Sequence, residues 1–251
     1  MKYYLKRAKK WLLEEKYHNK KTSEYFKDIE RIKKGEPLDY VIGFRKFLDC
    51  HIDLSFKPLI PREETEYWVE KAIREIQRLS NNQKLNILDI FSGSGCIGAA
   101  LLKHLPKSKV VFAEKYTKFI NQIKLNLKLN KINSKKYKIV KSDIFSNIKE
   151  KFDFIFANPP YVSIKNVKKV QKSVLLYEPR KAIFAQKDGL YFIKKFLQQA
   201  KYHLKQNGVI FLEFDSSQKT FLEKLLKKAG YSNYQFFKDQ FNHLRYLKII
   251  K

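Results

Sequence analysis

The stretch FDFIFANPPYV, residues 152–162, carries an apolar run into Asn158, Pro159, Pro160 and Tyr161. Consecutive prolines hold the chain out of helical geometry and bring no backbone N–H. The Asn158 side-chain oxygen and the Pro159 carbonyl are left as acceptors without competing donors, and two converging acceptors bind one planar NH2 group. Tyr161 offers a ring face on which a flat amide or a base can stack. Gripping both hydrogens disfavours the planar resonance form and aims the nitrogen lone pair. That suits methyl transfer to a carboxamide nitrogen or an exocyclic base amine, with no strong general base. A double-proline loop exit is the plainer reading of the same four residues.

A second constellation, LDIFSGSGCIG at 88–98, ends an earlier apolar run. Gly93 and Gly95, with Phe91, Ser92 and Ser94 around them, let the backbone turn tightly and approach a ligand. The start of the following helix offers unpaired N–H groups. Gly93, Gly95 and Gly98 match the Gly-x-Gly-x-x-Gly spacing of dinucleotide sites. Glu114 follows ~20 residues on, where an acid accepts two ribose hydroxyls in both nicotinamide and S-adenosylmethionine enzymes. Asp143, beside Ile144 and Phe145, ends a third run at a position from which an adenine edge can be read; a strand-end Asp capping its own turn is the alternative. Hydride transfer has no use for the grip at 158–161, so there the dinucleotide reading fails.

These residues need a scaffold of strands that end together. From about residue 85 the pattern alternates strand and helix: strands at 85–90, 109–114, 137–143, 152–157 and 208–214, with helices at 96–105, up to about 130, 190–204 and 217–229. Such alternation predicts an α/β fold with a mostly parallel sheet and helices on both faces. Two further strand-like runs, YQFFK and LRYLKII, predict an antiparallel close. Ahead of this lie a helical arm over 1–36 and a segment over 37–80, with a hairpin read at 40–56, a helix at 63–79 and a linker at 80–84.

The 251 residues fit one main domain with an N-terminal extra. No apolar run approaches the ~18 residues of a membrane span, and no targeting signal is legible, so a soluble cytoplasmic protein is expected. Two cysteines, Cys50 and Cys96, are too few for a disulfide framework or a zinc site. Cys96 reads as a small packing residue, and His51, His104, His203 and His243 show no ligand spacing; no metal is expected. The net charge of +28 rests almost wholly on lysine, with eight arginines. Affinity for nucleic acid and a lysine-rich codon bias both account for it, and both stay open.

With those residues in place, the chain from about 35 to its end resembles the release factor glutamine methyltransferase family of class I S-adenosylmethionine enzymes. The motifs are GEPLDYVIGFRKF (35–47), LIPREETE (59–66), LDIFSGSGCIG, NPPYV, YEPRKAI (177–183) and DGL (188–190). The resemblance implies a Rossmann-like, seven-stranded, mostly parallel sheet with an antiparallel last strand. It implies methylation, from S-adenosylmethionine, of the side-chain amide nitrogen of the glutamine in the Gly-Gly-Gln loop of peptide-chain release factors. S-adenosylhomocysteine is the product and no metal takes part. Carried over by position, Phe91, Ser92, Gly93, Ser94, Gly95, Glu114, Asp143, Ile144 and Asn158 hold the cofactor. Asn158, Pro159, Pro160 and Tyr161 hold the reacting amide, with Arg62 and Glu178 on the substrate side and Arg62, Glu64 and Glu66 ordering the entrance. Partners are then release factors, with nonspecific RNA or ribosome contact through the lysines, no membrane, and a monomer.

The chain departs from the family pattern in places. Phe91 stands where a glycine is usual, Glu114 where Asp is usual, Glu63 where proline is common, and the arm is about half the usual length. The rival readings are an N-methyltransferase for adenine or guanine in DNA or RNA, and a non-catalytic subunit that keeps the fold. Retention of Glu114 and of the 158–161 grip speaks against the second.

Overall fold

The computed structural model describes residues 2–80, 83–186 and 188–251. The expected linker at 80–84 includes Asn81 and Asn82, which lie outside the described residues.

Helices α1 (Lys2–Glu15), α2 (Ser23–Lys33) and α3 (Leu38–Ile42) come first, then hairpin strands β1 (Phe44–Phe47) and β2 (Cys50–Asp53) and helix α4 (Glu63–Leu79). Strand β3 (Asn86–Ile90), α5 (Cys96–His104), β4 (Lys109–Glu114), α6 (Thr117–Leu129), β5 (Tyr137–Lys141) and β6 (Phe152–Ala157) follow. The remainder is α7 (Lys172–Tyr177), α8 (Arg180–Ile183), α9 (Tyr191–Ala200), β7 (Leu204–Glu213), α10 (Lys219–Lys228), β8 (Tyr234–Lys238) and β9 (Leu244–Ile250).

The arm closes on its own apolar stripe: Ala8, Leu12, Tyr25, Ile29 and Ile32 pack with Leu38 and Val41. Thr22 caps α2 by accepting from the Tyr25 N–H. The hairpin read from residue 40 therefore starts late. Tyr40 and Val41 belong to α3, because one short helical turn lets Leu38 and Val41 complete the arm's core, and β1 begins only after Gly43 at φ 102°.

Seven strands form one sheet in the order β5-β4-β3-β6-β7-β9-β8, with β9 antiparallel to both neighbours and β3 to β7 parallel. Strand periodicity of two divides the core. Ile87, Phe156 and Phe211 join the face covered by α4, α5 and α6, whereas Leu88, Ile155, Ile210 and Leu212 join the face covered by α9 and α10. The sheet reverses direction of growth at β3, since β4 lies on one side of it and β6 on the other. Ligands of open sheets bind at the carboxyl ends of strands at such a switch point. Here those ends carry the Gly loop, Glu114 and the 158–161 segment.

Helix α6 also holds the hairpin. Gln122, Asn126 and Asn130, four residues apart, accept from the backbone N–H groups of Phe56, Asp53 and His51 at 2.9, 2.8 and 2.8 Å. An edge that no strand covers is thus satisfied by one polar stripe. The Asn126 Nδ2 also donates to the Ser94 carbonyl at 2.9 Å, tying the hairpin to the Gly loop. The strand expected at 208–214 is longer, beginning at Leu204, and the helix expected at 190–204 ends at Ala200. Among the described residues no helix is long and apolar enough to cross a membrane.

Candidate active site

The Gly loop depends on backbone that turns left. Gly93 and Gly95 have φ of 53° and 78°. A Cβ at Gly98 would lie 2.1 Å from the Phe112 ring, so the third glycine exists for contact between α5 and the sheet rather than for a turn. Phe91 and Ile144 also stand at positive φ, 62° and 56°, which costs each about 1–2 kcal/mol. Both line one cavity at the carboxyl end of the sheet, together with Glu114, Asp143, Asn158 and Phe192. Ser92, Gly93 and Ser94 line it as well.

Glu114 is buried and its oxygens are already oriented: Oε2 accepts from the Gly93 N–H at 2.9 Å, Oε1 from the Tyr116 N–H at 2.8 Å. Each oxygen keeps a lone pair for a ligand hydroxyl. Burial raises its carboxyl above the ordinary range, and the backbone donors pull the other way. Asp143 is half-exposed and ion-paired with Lys115 at 2.7 Å, while its own N–H donates to Ser146 Oγ. Asp89, under the loop, accepts from the Gly98 N–H through Oδ2, has no partner at Oδ1, and is pushed by burial to about 8.

At the other end of the cavity Asn158 and Pro160 line the wall, Asn158 partly exposed and Pro160 buried, with Pro159 buried between them. Asn158 does not hang free: its Nδ2 donates to Thr65 Oγ1 at 3.3 Å. Thr65 Oγ1 in turn donates to Glu213 Oε2 at 2.7 Å, Trp68 Nε1 donates to the same oxygen at 2.7 Å, and the Tyr161 hydroxyl donates to Oε1 at 3.1 Å. Burial raises the Glu213 carboxyl, while hydrogen bonds from Trp68, Thr65 and Tyr161 and the charge of Arg245 oppose that. The Tyr161 carbonyl accepts from Gln218 Nε2 at 3.0 Å, and a Cβ at Gly189, at φ 75°, would lie 2.4 Å from that carbonyl. The DGL segment is thus fitted to the back of the 158–161 turn.

Arg62 and Glu178 come together, with Arg62 Nη2 2.6 Å from Glu178 Oε1. Glu178 also accepts from the Ile60 N–H at 3.1 Å and is buried, so its carboxylate is occupied in fixing the 59–62 strap. Only Arg62 of this pair lines the cavity. Glu66 accepts from the Leu48 N–H and so sits at the hairpin turn.

Thr65, Glu213, Gln218 and Phe192 were not legible as site residues in the sequence. Thr65 lies within the IPREETE motif, where the acids draw attention. Glu213 had one available signal, a carboxylate at the carboxyl end of the apolar run GVIFLEF.

A seven-stranded sheet of this order, with an acid and a Gly loop at the switch point, defines a class I S-adenosylmethionine-dependent methyltransferase. A profile of the methyltransferase small domain matches residues 75–186. The fold aligns with a methyltransferase from Pyrococcus furiosus at TM-score 0.56 and 21% identity, covering 80% of this chain and 89% of that one. It aligns with the hMettl16 catalytic domain at TM-score 0.65 and 19% identity, covering 81% and 76%.

In sequence the chain is 36% identical over 212 residues to the release factor glutamine methyltransferase of Thermodesulfovibrio yellowstonii, covering 84% of this chain and 75% of the relative. With the enzyme of the same name from Streptococcus pneumoniae it shares 34% over 237 residues, covering 93% and 82%. The chain belongs to the release factor glutamine methyltransferase family.

Proposed function

We propose that this protein transfers a methyl group from S-adenosylmethionine to the side-chain amide nitrogen of the glutamine in the Gly-Gly-Gln loop of peptide-chain release factors. The observation that carries this is the amide of Asn158, whose nitrogen is engaged by Thr65 and whose oxygen is thereby left as an acceptor; the Pro159 carbonyl is taken as the second acceptor. Two acceptors fit the two N–H bonds of a primary amide and reject a carboxylate, which has no proton to give.

The donor set fits the cofactor. Glu114 holds a ribose diol, the turn from Phe91 to Gly95 admits the amino acid portion, and Asp143 with Ile144 faces the adenine. When bound, the cofactor supplies a sulfonium-linked methyl group. Asn158 and Pro159 hold the amide nitrogen with its lone pair directed out of plane, and the Tyr161 ring supports the amide face. Arg62, braced by Glu178, borders the entrance. On the same reading the chain works as a monomer in the cytoplasm, and its lysine-rich surface is open to nonspecific contact with RNA or the ribosome.

The test is one labelled-methyl assay offered release factor, RNA and DNA side by side. Release factor is expected to take the label, and Gln→Ala in its Gly-Gly-Gln loop to prevent it. Label on RNA or DNA with the release factor untouched would overturn the substrate assignment in favour of an exocyclic base amine.

Phe91 permits a separate prediction. In Phe91→Gly, relief of about 1–2 kcal/mol of left-handed strain offsets part of the packing lost against Phe192 and Phe196, whose centroids lie 6.1 and 6.4 Å away. The thermal midpoint should fall by a few degrees. The Kd for S-adenosylmethionine should rise about fivefold, equivalent to about 1 kcal/mol of lost aromatic contact. Calorimetric titration and a melting curve on the same sample check both halves.

A further inference from the structure

We propose that Glu213, outside the cavity, decides which way round the Asn158 amide is held, acting through Thr65 as a positioning pair. The inference rests on the amide grip given above as the proposed function.

Asn158 has an oxygen and a nitrogen of nearly equal size, so shape cannot select between its two orientations and only hydrogen bonding can. Trp68 Nε1 is a donor only, and it lies 2.7 Å from Glu213 Oε2. That oxygen must therefore be an acceptor. Thr65 Oγ1 lies 2.7 Å from the same atom and has one proton, which is committed there. Towards Asn158, at 3.3 Å, Thr65 can then only accept. A hydroxyl that can only accept binds the Asn158 NH2, and the Asn158 oxygen must face the other way.

Without that commitment Thr65 could donate to the Asn158 oxygen. The amide would turn over and present its NH2 to the incoming NH2, donor against donor. The charged neighbour on another strand is Arg245 of β9, itself paired with Asp239 at 2.9 Å. The arrangement does not require Glu213 to be ionised. A proton on Oε1 would be donated to the Tyr161 hydroxyl, 3.1 Å away, leaving Oε2 an acceptor.

This sets Glu213 apart from a charge that acts on the reaction. Thr65→Val should lower kcat about 100-fold, the scale of losing one oriented hydrogen-bonding group, with the Kd for S-adenosylmethionine and the melting temperature near wild type. Thr65→Ser restores the hydroxyl and should restore kcat. Glu213→Leu, which removes the shared acceptor, should lower kcat as Thr65→Val does, and Glu213→Gln should rescue it, because its oxygen can face Trp68 and Thr65 while its NH2 faces Tyr161. Hydrogen exchange of the Asn158 side-chain amide, read by NMR, gives a measure independent of any substrate. It should be slow in wild type, Thr65→Ser and Glu213→Gln, and fast in Thr65→Val.

Wild-type kcat in Thr65→Val, or a loss in Glu213→Gln matching that in Thr65→Val, would overturn the proposal. So would rapid Asn158 exchange in the wild type. Failure of the wild type to methylate release factor would count against the function proposed above, and the exchange measurement would still decide this one.

Discussion

Asn158→Ala is expected to remove nearly all methyl transfer while S-adenosylmethionine still binds almost as well as to the wild type. On the proposed grip the side chain contributes one of two acceptors for the amide hydrogens, and the Pro159 carbonyl alone would not fix both the position and the rotation of an NH2 group. A single oriented hydrogen-bonding group in a water-poor site is worth about 100- to 1000-fold in kcat, and here loss of orientation adds to loss of the bond. The fold should be little affected. Only the 3.3 Å bond to Thr65 disappears, a net loss of about 1 kcal/mol, and the hydrogen bonds from Thr65, Trp68 and Tyr161 to Glu213 remain. Single-turnover methylation of a release factor, set beside calorimetric binding of the cofactor, separates the two effects. Turnover at the wild-type rate would remove Asn158 from the chemistry.

The contrast between Asn158 and Glu213 explains how much of this molecule could be read in its sequence. Strands β3, β4 and β6 were legible because each is a short apolar run ended by a residue whose type is chemically constrained. Their alternation with helices left few ways to assemble a sheet. Asn158, Glu114 and the Gly loop stood out for the same reason, since each sits at a strand end where a ligand would meet it.

Residues that act through other residues gave no such mark. Glu213 looks like the last polar residue of a buried strand, and Thr65 like a spacer between acids. The α3 helix was hidden because LDYVI is only five residues long and apolar at every position but Asp39, too short to show a helical period; only the apolar surface of the arm, distant in sequence, decides between the two conformations. The stripe Gln122, Asn126 and Asn130 had a readable spacing along α6 and its C-cap. Its meaning came only with the uncovered hairpin edge beside it. Between residues 163 and 190 the elements are short, and their positions follow from contacts such as the parallel bridge of Val162 with Phe184 rather than from periodicity.

Glu114→Gln should produce the opposite pattern to Asn158→Ala: weak cofactor binding with turnover largely kept once the cofactor is saturating. In the wild type both oxygens accept backbone N–H groups, from Gly93 and Tyr116, and a glutamine must turn its NH2 towards one of them. That N–H then faces a donor and the Gly loop loses an anchor, while on the proposed role of Glu114 the ribose hydroxyls would lose a charged acceptor. Hydrogen bonds to a charged group are worth about 1.5–3 kcal/mol each, so the Kd should rise on the order of 100-fold.

The same carboxylate sets a pH dependence whose sign is fixed by its burial. Its pKa in the free protein is raised above the ordinary 4.5, so folding favours the neutral acid. The stability this gives is complete below 4.5 and is lost as pH rises through the raised value. Ribose hydroxyls held as proposed would favour the ionised form, so cofactor affinity should run the other way: full above the raised pKa and falling as pH drops through it. The KM for S-adenosylmethionine should therefore climb on acidification while the pH is still above 4.5, the ordinary value for a glutamate. Glu114→Gln should show a high KM without that climb. A wild-type KM that stays level down to the ordinary glutamate range would mean that Glu114 does not hold the ribose.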